Sequence, residues 1–157
     1  MKMKVDLSRG SLVTDDVLFQ VSCKVRSLRD STRASSEVVR SMPDDLPYDP
    51  RTFPKGLWNV TGTEWQKDRK FDPDTFGTVK IRTDAWQMVN VWELDADGDY
   101  RRETDRKVRD SGYLLHYSAY KTTWGCIRMA SREDAELLAK IVEAALKRGE
   151  AVQLEVA

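Results

Sequence analysis

The chain has 157 residues, 40% of them hydrophobic and 33% charged, which suits one globular domain with one core. Lys plus Arg equal Asp plus Glu at 26 each, so the net charge is zero. That balance argues against a nucleic-acid or anionic-membrane partner, because both attract a strongly basic surface.

No stretch approaches the roughly 20 apolar residues that span a bilayer. The opening residues, MKMKVDLSRGSLVTDD, have two lysines but no apolar run after them, so they do not read as a secretory signal. Two cysteines, Cys23 and Cys126, do not make a disulfide framework. One histidine and two cysteines are too few for a structural metal site, and there is no Walker loop or GxGxxG. No metal and no organic cofactor is expected.

Residues 17–29 alternate Val17, Phe19, Val21, Cys23 and Val25 with mostly polar positions, the period of a strand. Residues 30–41 are polar and small, and fit a turn with either a strand or a helical piece. Residues 42–56 hold four prolines and end in glycine, so they are extended or looped. Residues 57–62, 78–83 and 88–94 each read as strands. Asp95 to Asp99 supplies turn chemistry, and residues 100–108 return as an exposed strand or loop. Asp97-Gly98 lacks the spaced ligands of a calcium loop, so a plain turn is the better reading.

Residues 112–116 form a short apolar strand that ends in His116. Residues 127–129 follow Cys126. Ser131 then caps a helix with Glu133 and Asp134 in its first turn. Ala135, Leu138, Ile141, Val142, Ala145 and Leu146 share one helical face, and Lys147-Arg148-Gly149 closes it. Residues 151–156 alternate and make a last strand. The expected fold is mainly β with one helix near the C-terminus.

The segment His116-Tyr-Ser-Ala-Tyr-Lys-Thr-Thr-Trp-Gly-Cys126 holds the chain's single histidine and one of its cysteines. A cysteine nucleophile needs a thiolate, a base to form it and donors for the oxyanion. Histidine can take the thiol's proton, and Gly125 permits a tight turn with a substrate close by. Arg128 shares a face with Cys126 if the chain is extended there. Two residues of these types ten apart also fit a buried thiol and an unrelated histidine.

The wider pattern resembles the catalytic end of the YkuD-type L,D-transpeptidases. It consists of His116, then Thr123-Trp-Gly-Cys-Ile-Arg128, then a helix and the closing Gly149-Glu-Ala-Val-Gln-Leu154. Upstream, Pro50-Arg-Thr-Phe-Pro-Lys-Gly-Leu-Trp-Asn-Val60 looks like the family's Pro-x-x-Gly-x-Phe/Trp strand entry. The resemblance covers roughly residues 47–156. It departs from the family at Trp124, which stands where most members carry a second histidine. The loop after His116 is short, and Tyr117 replaces the usual glycine.

The resemblance implies an L,D-transpeptidase-like mixed β-sandwich; residues 1–45, which it does not cover, hold the strand at 17–29 and either join the same sheet or form an appended arm. It implies Cys126 as nucleophile, His116 as base, Gly125 with the Cys126 amide at the oxyanion hole, and Arg128 supporting the site or meeting the substrate. Thr123, Trp124, Tyr117, Tyr120 and Ser118 would line the substrate. The reaction implied is attack on a peptidoglycan stem peptide, loss of D-alanine, and resolution of the thioester by an amine or by water. Such an enzyme acts in the periplasm or at the cell wall; without a signal peptide in this chain, that implies non-Sec delivery, a phage-encoded protein or a truncated sequence. Two other functions fit the same residues: a peptidoglycan-cleaving carboxypeptidase or endopeptidase toxin or phage protein, and a non-catalytic wall-binding module.

Of the five tryptophans, Trp58, Trp65, Trp86 and Trp92 read as core or half-buried strand residues, whereas Trp124 is placed to shape the pocket. Arg101, Arg102, Arg106 and Lys107 sit among acids as a solvated face.

Overall fold

The computed structural model describes residues 1–15, 17–22, 52–66, 72–94, 100–120, 123 and 125–157. The sequence-based expectations for residues 23–51, for the Asp95–Asp99 turn and for Trp124 fall outside these residues. In chain order the elements are β1 (Lys2–Asp6), β2 (Ser11–Val13), β3 (Leu18–Ser22), β4 (Gly56–Trp65), α1 (Pro73–Phe76), β5 (Val79–Thr83), β6 (Trp86–Leu94), β7 (Tyr100–Ser111), β8 (Leu114–Tyr117), β9 (Ile127–Met129), α2 (Arg132–Lys147) and β10 (Gln153–Val156).

Strand side chains alternate between two faces, and the burial follows that period. Met3 and Val5, Phe19 and Val21, Val79 and Ile81, Ile127 and Met129, and Leu154 and Val156 are all buried at alternate positions. Eight strands join in the closed order β1-β10-β4-β5-β8-β9-β3-β2, while β6 and β7 pair as a separate two-stranded arm. The fold is mainly β, as expected, but the sheet closes into a barrel where a sandwich was expected.

The reason lies in residues 1–13, which the sequence reading did not assign to strands. β1 pairs with β10 on one side and β2 on the other, and β2 leads through β3 to β9. Closure leaves no unpaired edge in the ring. Two strands change partners along their length. β4 pairs first with β10 through residues 56–59, then with β5 from Val60 onward, across an irregularity between Val60 and Gly62. β3 passes likewise from β2 to β9. Corners of this kind let a ring bend sharply.

α2 packs against β4, β5, β8 and β9. Ala135, Leu138, Ala139, Val142 and Ala145 form its buried face and join the strand residues in one core. Ser131 caps the helix, its Oγ accepting from the Asp134 amide at 3.0 Å. Thr63 and Trp65 both donate to the Glu143 carboxylate, and these two bonds hold its pKa below the usual glutamate range. The short α1 is an addition to the sequence reading. Asp72 caps it, and Pro73 occupies its first position, where a missing N–H costs nothing. Among the described residues no helix is long and apolar enough to cross a membrane.

The packing of α2 makes a direct prediction, because Leu138 is 0% exposed and its neighbour Leu137 is 47% exposed. Leu138→Ala should lower unfolding free energy by about 2–5 kcal/mol. Leu137→Ala should change it by no more than about 0.5 kcal/mol. Urea denaturation measures both, and equal losses would contradict this placement of the helix.

Candidate functional site

β8 and β9 are consecutive in the sequence yet pair in parallel, with Leu115 opposite Ile127, His116 opposite Arg128 and Tyr117 opposite Met129. Parallel neighbours need a connection that runs back along the sheet, usually a dozen residues or more. Here the intervening loop is short and held by bonds at several points. Ala119 N–H donates to the Thr75 carbonyl of α1 at 2.8 Å. Arg128 Nε donates to the Ser118 carbonyl at 2.6 Å. Thr123 Oγ1 donates to the Cys126 carbonyl. Gly125 has φ of +83°, a conformation that side chains with a Cβ rarely adopt.

The register sets which residues meet. Leu115, Ile127 and Met129 are fully buried, so their parity faces the core. His116 and Arg128 stand side by side on the opposite, outward parity, each half-buried. Cys126 precedes Ile127 by one residue and is also half-buried. It lies outside β9, after the Gly125 turn, and its charge acts on the buried Tyr113 hydroxyl. The same outward row continues across β5 and β4, because His116 is opposite Lys80 and Lys80 is opposite Glu64.

The histidine is held in one tautomer. Its Nδ1 is 2.8 Å from the Tyr117 carbonyl oxygen. A carbonyl only accepts, so Nδ1 carries the proton and donates, which leaves the Nε2 lone pair as the base. Burial pushes the ring's pKa below 6.5; the Tyr117 bond opposes that shift, and the nearby charges of Lys80 and Arg128 add to it. The imidazole is therefore neutral at pH 7 and able to accept a proton.

The other expected site residues divide. Ser118 is buried, with its Oγ accepting from the Tyr120 amide at 3.1 Å, so it shapes the loop. Thr123 is buried too, beneath the turn that precedes Cys126. Tyr117 shares the parity of Met129 and packs partly on the core, away from the row that holds His116. Tyr120 is exposed, and its ring lies 5.7 Å from that of Phe76 on α1. Gly77 closes this contact at the other end. A Cβ there would sit 3.2 Å from the Tyr117 Cβ, and its φ is +76°.

Sequence reading missed a buried network at the base of the β6–β7 arm. Tyr113 Oη donates to Asp110 Oδ2 at 2.6 Å, while Gln87 Nε2 donates to Tyr113 Oη and also to the Thr52 carbonyl. Burial and the Asp110 carboxylate push the Tyr113 hydroxyl far above 10, and Cys126 lies within electrostatic reach of it. Phe53 stacks edge-on against the Tyr113 ring at 5.5 Å. A buried Asp beside an aromatic hydroxyl leaves no sequence pattern to recognise. Lys80 was also overlooked, although alternation with Val79 and Ile81 marks it as outward.

Comparisons with protein-family models, with curated proteins and with solved structures return no match.

His116 is the chain's single histidine, so its NMR titration is unambiguous. The midpoint should lie below 6.5 and rise in Lys80→Met, where one of the cations that disfavour imidazolium is removed. The unfolded chain protonates first, so this residue's contribution to stability declines as pH falls through the unfolded value of 6.5. A midpoint at or above 6.5, or one indifferent to Lys80, would contradict the described environment.

Proposed function

We propose that this chain is a cysteine acyltransferase of the L,D-transpeptidase kind, acting on peptidoglycan stem peptides. One observation supports the reading beyond the motif: the parallel β8–β9 register, which sets His116 beside Arg128, two residues from Cys126 in the sequence. The Thr123-to-Arg128 segment and its upstream histidine supply the family resemblance. The barrel's two partner-switching strands are compatible with the double-sheet architecture that the resemblance implies.

In this reading His116 Nε2 takes the proton from the Cys126 thiol. The thiolate attacks the carbonyl before the terminal D-alanine, and the carbonyl electron pair moves onto oxygen. Backbone N–H groups of the Gly125-Cys126 turn receive that oxyanion. Collapse of the adduct breaks the peptide bond, and imidazolium returns its proton to the departing D-alanine nitrogen. A thioester remains on Cys126. An amine from a second stem, deprotonated by His116, then attacks it and restores the thiol; water in the same position gives a hydrolytic product.

The Tyr117 carbonyl orients the imidazole as a carboxylate does in a catalytic triad, without adding a charge. Arg128 holds the loop through Ser118 and so is a positioning residue. Thr123 keeps the Cys126 carbonyl turned inward, which shapes the turn whose amides face the substrate.

Incubation with a tetrapeptide stem or a carbapenem, followed by intact-mass analysis, tests the reading. The native protein should gain one acyl group, and Cys126→Ala none. His116→Ala should acylate about 10²- to 10⁴-fold more slowly. No adduct on the native protein, or an equal adduct on Cys126→Ala, would overturn the proposal.

A further inference from the structure

The ring has two walls, because β3 and β4 change partners and form its corners. One wall holds β5, β8 and β9 with His116 and Arg128. The other consists of β2, β1 and β10, flanked by the first halves of β3 and β4. Its inward residues, among them Met3, Leu12, Phe19 and Leu154, are fully buried. Its outward residues fall in one line of register. Leu18 is opposite Val13, Val13 opposite Lys4, Lys4 opposite Glu155, and Glu155 opposite Leu57. Leu18 is 68% exposed, Leu57 56% and Val13 43%. Neither described helix covers them: α2 packs against β4, β5, β8 and β9, and α1 against β8.

Charge decides what fits this line. Lys2, Lys4, Asp6 and Glu155 occupy outward positions of β1 and β10 and leave the wall without net charge. Neither anionic lipid nor nucleic acid is drawn to such a surface. A second copy of the chain does fit. In an isologous pair, residue i meets residue j while j meets i. Consider a two-fold axis that runs along the strands between β1 and β10, midway between two facing walls. It sets Lys4 against Glu155 of the second copy, twice over, and Val13 against Leu57 of the second copy. It also sets Lys2 against Gln153. An axis across the strands would set Lys4 against Lys4, so the pattern selects the first. Lys2 bonds Glu155 at 3.0 Å, and this bond with the charge of Lys4 holds the Glu155 pKa below the usual glutamate range. The carboxylate is therefore charged at neutral pH.

We propose that the outer face of the β2-β1-β10 wall is a homodimer interface, with Lys4–Glu155 pairs at its centre and Val13–Leu57 contacts on either side. The proposal does not rest on the acyltransferase reading, because this wall carries none of the residues assigned to that reaction. β1 is across the ring from β8. The dimer accordingly leaves both His116 faces open on its two outer sides. Five strands at a spacing of about 4.8 Å and five residues at about 3.3 Å give a contact of about 19 by 17 Å. That is at the low end of specific interfaces, so the dimer is of micromolar affinity and not obligate.

Sedimentation equilibrium of the native protein, from about 10 µM to about 1 mM, should show a monomer–dimer equilibrium with Kd of about 10–100 µM. Lys4→Glu and Leu57→Lys should each weaken it about ten-fold or more, and Lys4→Glu combined with Glu155→Lys should restore it. Leu137→Lys, at a comparably exposed leucine on α2, should leave it unchanged. Matching circular dichroism spectra control for folding of the variants. One readout needs no variant: on dilution of the native protein, amide resonances of Lys4, Val13, Leu57 and Glu155 should shift while those of α2 stay in place. A native protein that is monomeric at about 1 mM overturns the proposal. So does a dimer that Leu57→Lys leaves intact, or one whose dilution shifts fall on other elements.

Discussion

The parallel ladder between β8 and β9 is the constraint on which the site depends. Side-chain direction in a strand has a period of two, so a slip of one residue would turn His116 or Arg128 into the core. Burial prevents the slip. Leu115, Ile127 and Met129 are each fully enclosed, and every alternative register would expose them or bury a charge. The core thus fixes the chemistry on the other face. The loop between the two strands is held by α1, by the Ser118 carbonyl and by Thr123, so it cannot relax the register from outside.

Electrostatics then sets the working state of the histidine. Burial, Lys80 and Arg128 all disfavour imidazolium, while the Tyr117 carbonyl favours it. The outcome is a neutral ring with a defined lone pair. Arg128 contributes field and structure together, because its Nε is committed to the loop.

Much of this molecule can be read from its residues. Alternation identifies β3, β4, β5, β8 and β10, and the apolar face from Ala135 to Ala145 identifies α2 with its serine cap. Other parts were readable but weak. Met3 and Val5 alternate with lysines, too short a pattern to distinguish β1 from a tail. Asp72-Pro73-Asp74 is a helix start, but only one turn follows it. Barrel closure is of a different kind, since it depends on β1 pairing with the distant β10, and no local pattern encodes a partner 151 residues away. The site shows the same division. His116, Gly125 and Cys126 stand out by residue type and spacing. The pairing of His116 with Arg128, the outward role of Lys80, the inward parity of Tyr117 and the Asp110–Tyr113–Gln87 network arise from register and packing.

The central claim is that His116, oriented by the Tyr117 carbonyl, governs the ionisation of Cys126. The pH profile of Cys126 alkylation by iodoacetamide, measured in a Cys23→Ala background, tests it most directly. The account predicts a step in the rate that coincides with the NMR titration of His116 and disappears in His116→Gln, leaving only the rise of an ordinary thiol near pH 8.5. Superimposable profiles for the two proteins would show that the thiol ionises independently of the histidine, and the base–nucleophile pair would have to be abandoned.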